Sequence, residues 1–292
     1  MASRQQTLKL GAVAIAAAVL TQVLSPAGAA PITWSGTTTI SGSGSQVLTT
    51  GSLHLAYNFG GSTTEVNGVR FTGWANPASG TTTATNTRLT ITTNGTATFA
   101  TDANSISSSN VTSGTFVNTP YRDLFTAQFA VNPGSTTASV PNTIMNYTIS
   151  GLQPTYQYVL QFWANYSNAP GTQSNPAGRT VTVADNLAFS GSTVLDVNST
   201  DAAGGVGQFV TGTFTANAST QTFYTLGSIN STPSSQARNY GSALQVRLLA
   251  VPEPSTLALA SLGIVSVGTW FGRRRMRRAA EESSAADAGA TA

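Results

Sequence analysis

Hydrophobic and polar residues alternate along most of the middle of the chain, in the pattern of half-buried β-strands. The alternation is clearest in four segments, 53–59, 155–162, 209–215 and 244–248, and shorter runs occur at 89–92 and 223–226. Turn-forming pairs such as Gly60-Gly61 and Asn67-Gly68 separate these segments, and few windows have a helical period. We therefore predict an all-β fold over residues 31–250, an antiparallel β-sandwich or jelly roll.

One part of this region has a weaker pattern. Residues 76–87 and 102–113 are rich in Thr, Ser, Asn and Gly and contain few large apolar side chains. This composition predicts two long loops. Between them, the alternation predicts a β-hairpin over residues 88–100.

The first residues of the chain, 1–30, have the pattern of a secretory signal peptide. Basic residues precede an apolar segment at 10–20, and Ala27 and Ala29 form an A-x-A cleavage site. We predict that the Sec translocon inserts this segment and that signal peptidase removes it. The alternative is an uncleaved anchor helix, for which the apolar segment is short.

The C-terminal end contains three segments in a fixed order. The motif Val251-Pro252-Glu253-Pro254 is followed by an apolar segment over 255–272, which is near the lower length limit for a transmembrane helix. Five arginines come next: Arg273, Arg274, Arg275, Arg277 and Arg278. Arginines stay on the cytoplasmic side of a membrane, so residues 279–292 are predicted to be a cytoplasmic tail. With a cleaved signal peptide, residues 31–250 then lie outside.

This order of segments resembles the PEP-CTERM sorting signal of Gram-negative bacteria, over residues 251–278. The resemblance implies an intermediate anchored in the inner membrane by a single span, and then processing by exosortase, a membrane-embedded enzyme. Delivery to the cell surface or the extracellular matrix is expected to follow. The alternative is an ordinary single-pass anchor that is not processed.

The middle of the chain also resembles a sandwich domain that recurs in PEP-CTERM proteins. The similar segments are 53–71, 149–165 and 207–223. Such sandwiches look like carbohydrate-binding or galactose-binding-like modules. The resemblance implies no catalytic residue.

The composition excludes several classes of chemistry. The chain has no Cys and one His, which excludes disulfides, thiolate nucleophiles and multi-histidine metal centres. Residues 31–250 contain six Arg, no Lys and six acidic residues, so this region has no net charge. A nucleic-acid-binding protein needs clustered cations, and we therefore expect no nucleic-acid partner.

Two sets of residues are candidates for ligand binding. Sugar binding needs exposed aromatic rings with polar groups beside them, and Trp74, Tyr121, Arg122 and Tyr166 lie in turn-rich segments. The alternative for each ring is packing in the core. Calcium prefers carboxylate and carbonyl oxygens on loops, and Asp185, Asp196 and Asp201 are its candidate ligands. We expect no other cofactor.

Catalytic patterns are weak in this sequence. A serine triad requires a His, and His54 lies in an alternating strand where we expect it to face solvent. The chain has no G-x-S-x-G motif. We therefore expect an exported protein that is not an enzyme, with a structural or adhesive role in extracellular polymer. The alternatives are a carbohydrate-binding module and a polysaccharide-active hydrolase, which would need two carboxylates facing one cleft.

Overall fold

A computed structural model describes most of the predicted sandwich. The described residues are 30–94, 97–100, 119, 121–125, 127–132, 143–167, 178–202, 204–229, 232–233 and 238–250. Within these ranges the regular structure consists of β-strands and two short 3₁₀ turns, at Gly44–Gln46 and Arg122–Leu124. The predicted all-β class is confirmed for the part of the chain that the structure describes.

Eighteen strands follow one another along the described chain. The first nine are β1 (Thr33–Trp34), β2 (Thr38–Thr39), β3 (Ser52–Phe59), β4 (Thr64–Val66), β5 (Val69–Trp74), β6 (Thr83–Thr85), β7 (Leu89–Thr93), β8 (Thr98–Ala100) and β9 (Phe129–Asn132). The others are β10 (Ile144–Ser150), β11 (Gln157–Ala164), β12 (Arg179–Ala184), β13 (Thr193–Asp196), β14 (Gln208–Thr215), β15 (Thr220–Ile229), β16 (Thr232–Pro233), β17 (Asn239–Gly241) and β18 (Ala243–Ala250).

These strands form two large sheets and one small sheet. Sheet I has the order β1-β14-β11-β18-β3-β5-β4, with β2 also paired to β14. Sheet II has the order β13-β12-β15-β10-β7-β6, with β16 also paired to β15. The end sheet has the order β17-β9-β8. The architecture is consistent with the predicted sandwich.

Two details differ from the sequence prediction. Strands β3 and β5 pair in parallel, with Tyr57 opposite Thr72, whereas the other described pairs are antiparallel. The predicted hairpin at 88–100 is wrong, because β7 pairs with β6 and β10 while β8 pairs with β9 in the end sheet. The segment predicted as a loop before it contains β6. Local alternation identified these strands but not their distant partners.

The main core lies between the two large sheets. Leu55, Tyr57 and Phe59 of β3 point into it, as their alternation predicts. Tyr147 of sheet II stacks on Phe223, with ring centroids 4.6 Å apart. Phe129, Ala130 and Val131 of β9 in the end sheet belong to the same core. The hydrophobic alternation along the strands therefore corresponds to one shared interior.

A second core lies on the opposite face of sheet I. It includes Phe71 of β5, Trp163 of β11 and Phe209 of β14, with Val47 from the segment that crosses this face. Trp163 is fully buried and meets the edge of Phe71 at 5.7 Å between ring centroids. Both faces of β11 are consequently buried from Tyr158 onward.

Three polar side chains fix the segment that covers this second core. The Gln161 amide donates to the Gln46 carbonyl (2.8 Å) and accepts from the Leu48 N–H (3.1 Å). Gln245, directly opposite on β18, donates to Gln161 Oε1 at 2.8 Å. Arg247 donates to the carbonyls of Thr49, Thr50 and Gly51. We call residues 46–51 the strap.

Several predicted segments lie outside the described residues. They are the signal peptide with Ala27 and Ala29, the sorting motif, the apolar segment 255–272, the five arginines and the tail. Among the described residues, no helix has the length and apolar character needed to span a membrane. The last described strand, β18, leads directly into Val251.

Candidate functional site

His54 lies at an irregular point of β3. Val246 pairs with Leu55 and Arg247 pairs with Leu53, so His54 is an extra residue that forms a β-bulge. Its ring is half-buried and meets the edge of Tyr158, a main-core residue, at 5.8 Å between ring centroids. The prediction that His54 faces solvent is wrong, because the bulge interrupts the alternation on which it depends.

Both ring nitrogens of His54 have partners. Nε2 lies 3.0 Å from the Ser150 carbonyl oxygen, which only accepts hydrogen bonds, so Nε2 carries the proton. Nδ1 then accepts from Arg88 Nη1 at 3.1 Å. Burial lowers the pKa of His54, and the nearby Arg88 charge lowers it further, against the hydrogen bond to Ser150. This neutral imidazole joins the two sheets and has no nucleophile as partner.

The three candidate calcium ligands are not brought together. Thr180 of β12 pairs with Asp196, and Asp185 lies five residues after Thr180, directly beyond the end of β12, about 16 Å away. Asp185 accepts hydrogen bonds from the Ile32 N–H (2.9 Å) and from Asn186 (2.7 Å). Across the described residues, no cluster of three or more His, Asp or Glu could hold a metal ion. The structure therefore does not place the three predicted calcium ligands in one cluster.

Asp196 is the last residue of β13, and Asp201 lies in the loop that follows it. Asp196 accepts from the Asn198 N–H (2.9 Å), and Asp201 accepts from the Gly178 N–H (2.8 Å). Burial raises the pKa of Asp196, and the negative charge of Asp201 raises it further. Both carboxylates therefore hold backbone N–H groups of the loops that flank β12 and β13.

Tyr121 is not available for sugar stacking. Its side chain is fully buried in the second core, where it stacks on Phe125 with ring centroids 5.3 Å apart. Burial raises its pKa well above the ordinary value of 10.0. Of the two alternatives for Tyr121, the structure supports core packing, because the short turn that carries the ring packs against sheet I. The neighbouring Arg122 is partly exposed and pairs with Asp123 at 3.0 Å.

Trp74 and Tyr166 are half-buried and contact different aromatic rings. Trp74 contacts the main core through Tyr57, at 5.2 Å between ring centroids, and through Phe129 at 5.3 Å. Tyr166 contacts Tyr240 at 5.0 Å between ring centroids, and the guanidinium of Arg179 lies 3.9 Å from the Tyr166 ring. The structure therefore gives both rings packing roles and does not unite the four candidate residues in one groove.

Arg179 is the most deeply buried cation among the described residues. Only 4% of the residue is exposed, and its Nη1 donates to the Tyr240 hydroxyl. Burial raises the pKa of Tyr240 to about 12, although the Arg179 charge opposes the shift. A buried cation held between two aromatic rings stabilises the end of the sandwich that joins β12 to β17.

The outer face of sheet II carries two rows of polar side chains that sequence analysis missed. In the first row, Thr85 lies opposite Thr90, Thr90 opposite Thr148 and Thr148 opposite Thr222. The second row contains Thr83, Thr92, Asn146 and Tyr224 in the same strand order. We call these eight residues the threonine face.

The threonine face points away from the main core. The residues between its members, such as Leu89, Ile91, Tyr147 and Phe223, all belong to that core. Thr83 and Thr85 are exposed, and the other six residues of the face are half-buried. The abundance of Thr was visible in the sequence, but the rows depend on β10 lying between β7 and β15, which no local pattern predicts.

Comparison with protein families finds a match at the C-terminal end of the chain. Residues 250–278 match the PEP-CTERM protein-sorting motif, which confirms the resemblance inferred from the PEP sequence, the apolar segment and the arginines. The chain is therefore a β-sandwich protein that carries a PEP-CTERM sorting motif. The motif implies export and processing by an exosortase.

The comparisons with curated proteins and with solved structures identify no function for the sandwich. No curated protein matches the chain in sequence. Among solved structures, the chain is similar to the enzymatically active domain of tailspike protein 4 of Bacteriophage CBA120, at 12% identity and a TM-score of 0.25. The similarity spans 56% of this chain and 19% of the tailspike chain. At that TM-score it supports no argument about fold or function.

Proposed function

We propose that this protein is an exported, non-catalytic β-sandwich with a structural or adhesive role in extracellular polymer. The observation that carries the proposal is the PEP-CTERM motif at residues 250–278, directly after the last strand of the sandwich. Signal peptidase releases the chain from the Sec translocon near Ala30. The apolar segment and the arginines then hold an intermediate in the inner membrane until exosortase acts, and the sandwich reaches the cell surface or matrix.

The ionisable groups of the sandwich support a non-catalytic role. His54 is neutral, with both nitrogens engaged in structural hydrogen bonds. Asp185, Asp196 and Asp201 each accept a hydrogen bond from a backbone N–H. Groups used in this way position strands and loops, and their lone pairs are partly occupied. A hydrolase would instead need a pair of carboxylates directed into a cleft.

The absence of net charge in residues 31–250 supports a role in a neutral matrix. A surface with little net charge has little long-range repulsion from another copy or from an uncharged polymer. Thr side chains cover this surface with hydroxyl groups that exchange hydrogen bonds with water and with sugars alike. The chemistry of the surface is therefore suited to dense, hydrated polymer.

The sorting step is tested by replacing both prolines of the motif, Pro252→Ala and Pro254→Ala, in a tagged chain produced in its own host. We expect wild-type protein to be shortened and recovered from the cell surface or matrix, and the variant to remain in the inner membrane with its tail. Pro77→Ala with Pro154→Ala, two prolines outside the motif, is the matched control. Unchanged processing and delivery of the motif variant would overturn the proposal.

The non-catalytic assignment has a separate test. The purified protein is incubated with neutral and anionic polysaccharides, and new reducing ends are measured over time. We expect no release above that of a heat-treated sample. Release that is abolished by Asp196→Asn would overturn the assignment and favour the hydrolase alternative.

A further inference from the structure

We propose that the threonine face binds a neutral polysaccharide chain. This inference rests on the proposed function, because it assigns the polymer contact to one surface of the sandwich. The face consists of the two rows on sheet II, Thr85-Thr90-Thr148-Thr222 and Thr83-Thr92-Asn146-Tyr224.

The spacing of the hydroxyl groups is the first argument. Neighbouring strands lie about 4.8 Å apart, and alternate residues of one strand lie about 6.7 Å apart. The first row therefore extends about 14 Å across four strands, with the second row beside it. A linear polymer with a regular series of hydroxyl groups can meet such a surface at several points at once.

The hydroxyl groups of the first row retain capacity for further hydrogen bonds. The Oγ1 atoms of Thr148 and Thr222 are 3.1 Å apart, so these two side chains share one hydrogen bond. A hydroxyl has one donor and two acceptor positions, and the shared bond uses one donor of one residue and one acceptor of the other. The remaining positions are directed away from the main core, where a ligand hydroxyl can use them.

The second row supplies a ring and an amide side by side. Tyr224 is half-buried and lies directly opposite Asn146. Asn146 Oδ1 is buried and has no hydrogen-bond partner among the described residues, so the ring of Tyr224 is the part of this pair that a ligand reaches. A sugar can stack on the exposed part of the Tyr224 ring.

Charge decides which class of polymer fits. Neither row contains an ionisable side chain other than the Tyr224 phenol. Arg88, the residue before β7, uses its Nη1 for the ring and the carbonyl of His54. An anionic polymer would lose its hydration here without gaining a cation, whereas a neutral polymer exchanges hydrogen bonds with water for hydrogen bonds with the protein. Binding is therefore expected to be insensitive to salt.

The experiment uses the purified exported protein with three probes: microcrystalline cellulose, dextran beads and alginate beads. We expect saturable binding to at least one of the two neutral polymers, unchanged at 1 M salt where the Debye length is about 3 Å. The variant carrying Thr90→Val and Thr148→Val keeps the side-chain shape and loses two hydroxyl groups of the first row. Its affinity should fall about tenfold.

The matched control carries Thr213→Val and Thr215→Val on β14 of sheet I, where the same chemical change should leave affinity within about twofold of wild type. Circular dichroism and urea unfolding show whether both variants are folded. Failure of wild type to bind either neutral polymer, or equal binding by the two variants, would overturn the inference. Salt-sensitive binding to alginate alone would also overturn it.

A second copy of the chain is the other occupant to examine. Sedimentation of wild type as a dimer that the Thr90→Val and Thr148→Val variant dissociates would overturn polysaccharide binding in favour of self-association. The outcomes are distinct from failure of the proposed function. If the variant reaches the matrix and binds as wild type does, only the role of this face is lost. If wild type is found unprocessed in the cytosol, the proposed function fails.

Discussion

Replacing Gln161 by Met tests how the strap is held on sheet I. Met has similar length and no hydrogen-bonding amide, so the substitution Gln161→Met removes three hydrogen bonds and leaves little cavity. The lost bonds join the side chain to the Gln46 carbonyl, the Leu48 N–H and the Gln245 amide. At about 1 kcal/mol for each bond, the free energy of unfolding should fall by about 3 kcal/mol. The desolvated groups left on the strap add to this loss.

The assay is urea unfolding of the purified protein, followed by circular dichroism. Gln157→Met is the matched control, because Gln157 lies on the same strand and is exposed. We expect the control to change the free energy of unfolding by less than about 0.5 kcal/mol. Equal effects of the two substitutions would refute the role that we assign to Gln161.

Hydrogen exchange gives a local check on the same substitution. The Leu48 N–H is protected in wild type by Gln161 Oε1 at 3.1 Å. In the Gln161→Met protein this amide should exchange much faster. Amides in the centre of sheet II should exchange faster only in proportion to the loss of global stability. Unchanged Leu48 exchange would show that the strap is held by other contacts.

Two further predictions concern His54 and Gly73. Because the pKa of His54 is lowered below 6.5 in the folded chain, its stabilisation is present above the unfolded pKa of about 6.5 and is lost as pH falls towards the folded value. Between pH 7.5 and pH 5.0, the free energy of unfolding measured in urea should fall more for wild type than for His54→Gln. An equal fall in the two proteins would contradict the neutral state of His54. A Cβ on Gly73 would lie 2.5 Å from the Gly61 carbonyl oxygen, whereas one on Gly36 would meet nothing within 4 Å. Gly73→Ala should lower the melting temperature and cost about 1–3 kcal/mol, and Gly36→Ala should change it little; similar melting temperatures would show that the backbone adjusts freely.

Several strands could be predicted from the sequence because their pattern is local. Leu55, Tyr57 and Phe59 alternate with polar or small residues, and β3 covers this segment with its large side chains in the main core. The same holds for β18 around Leu244 and Val246. A segment can be predicted as a β-strand from one face alone when every second residue is apolar.

Alternation failed where a strand departs from the simple case of one buried face. Gln161 is polar and fully buried, because the strap covers the outer face of sheet I and its backbone satisfies the amide. His54 turns towards the core because a bulge adds one residue to β3. Both features depend on segments that are distant in sequence, and a single strand's pattern does not contain them.

The candidate site shows the same limit. For aromatic residues in turn-rich segments the sequence left sugar binding and core packing open, and Tyr121 is buried because its short turn packs on sheet I. The threonine face could not be predicted from the sequence, because each strand contributes only two residues to it. Its rows exist through the register of β6, β7, β10 and β15, which is a property of the whole sheet.

The intact mass of the protein recovered from its final location tests the central claim most directly, because it fixes both ends of the mature chain. The account predicts a chain that begins near Ala30 or Pro31, lacks the apolar segment and arginines after the PEP motif, and is found at the cell surface or in the matrix. A full-length chain of 292 residues, dissolved in the cytosol with its first residues intact, would contradict it.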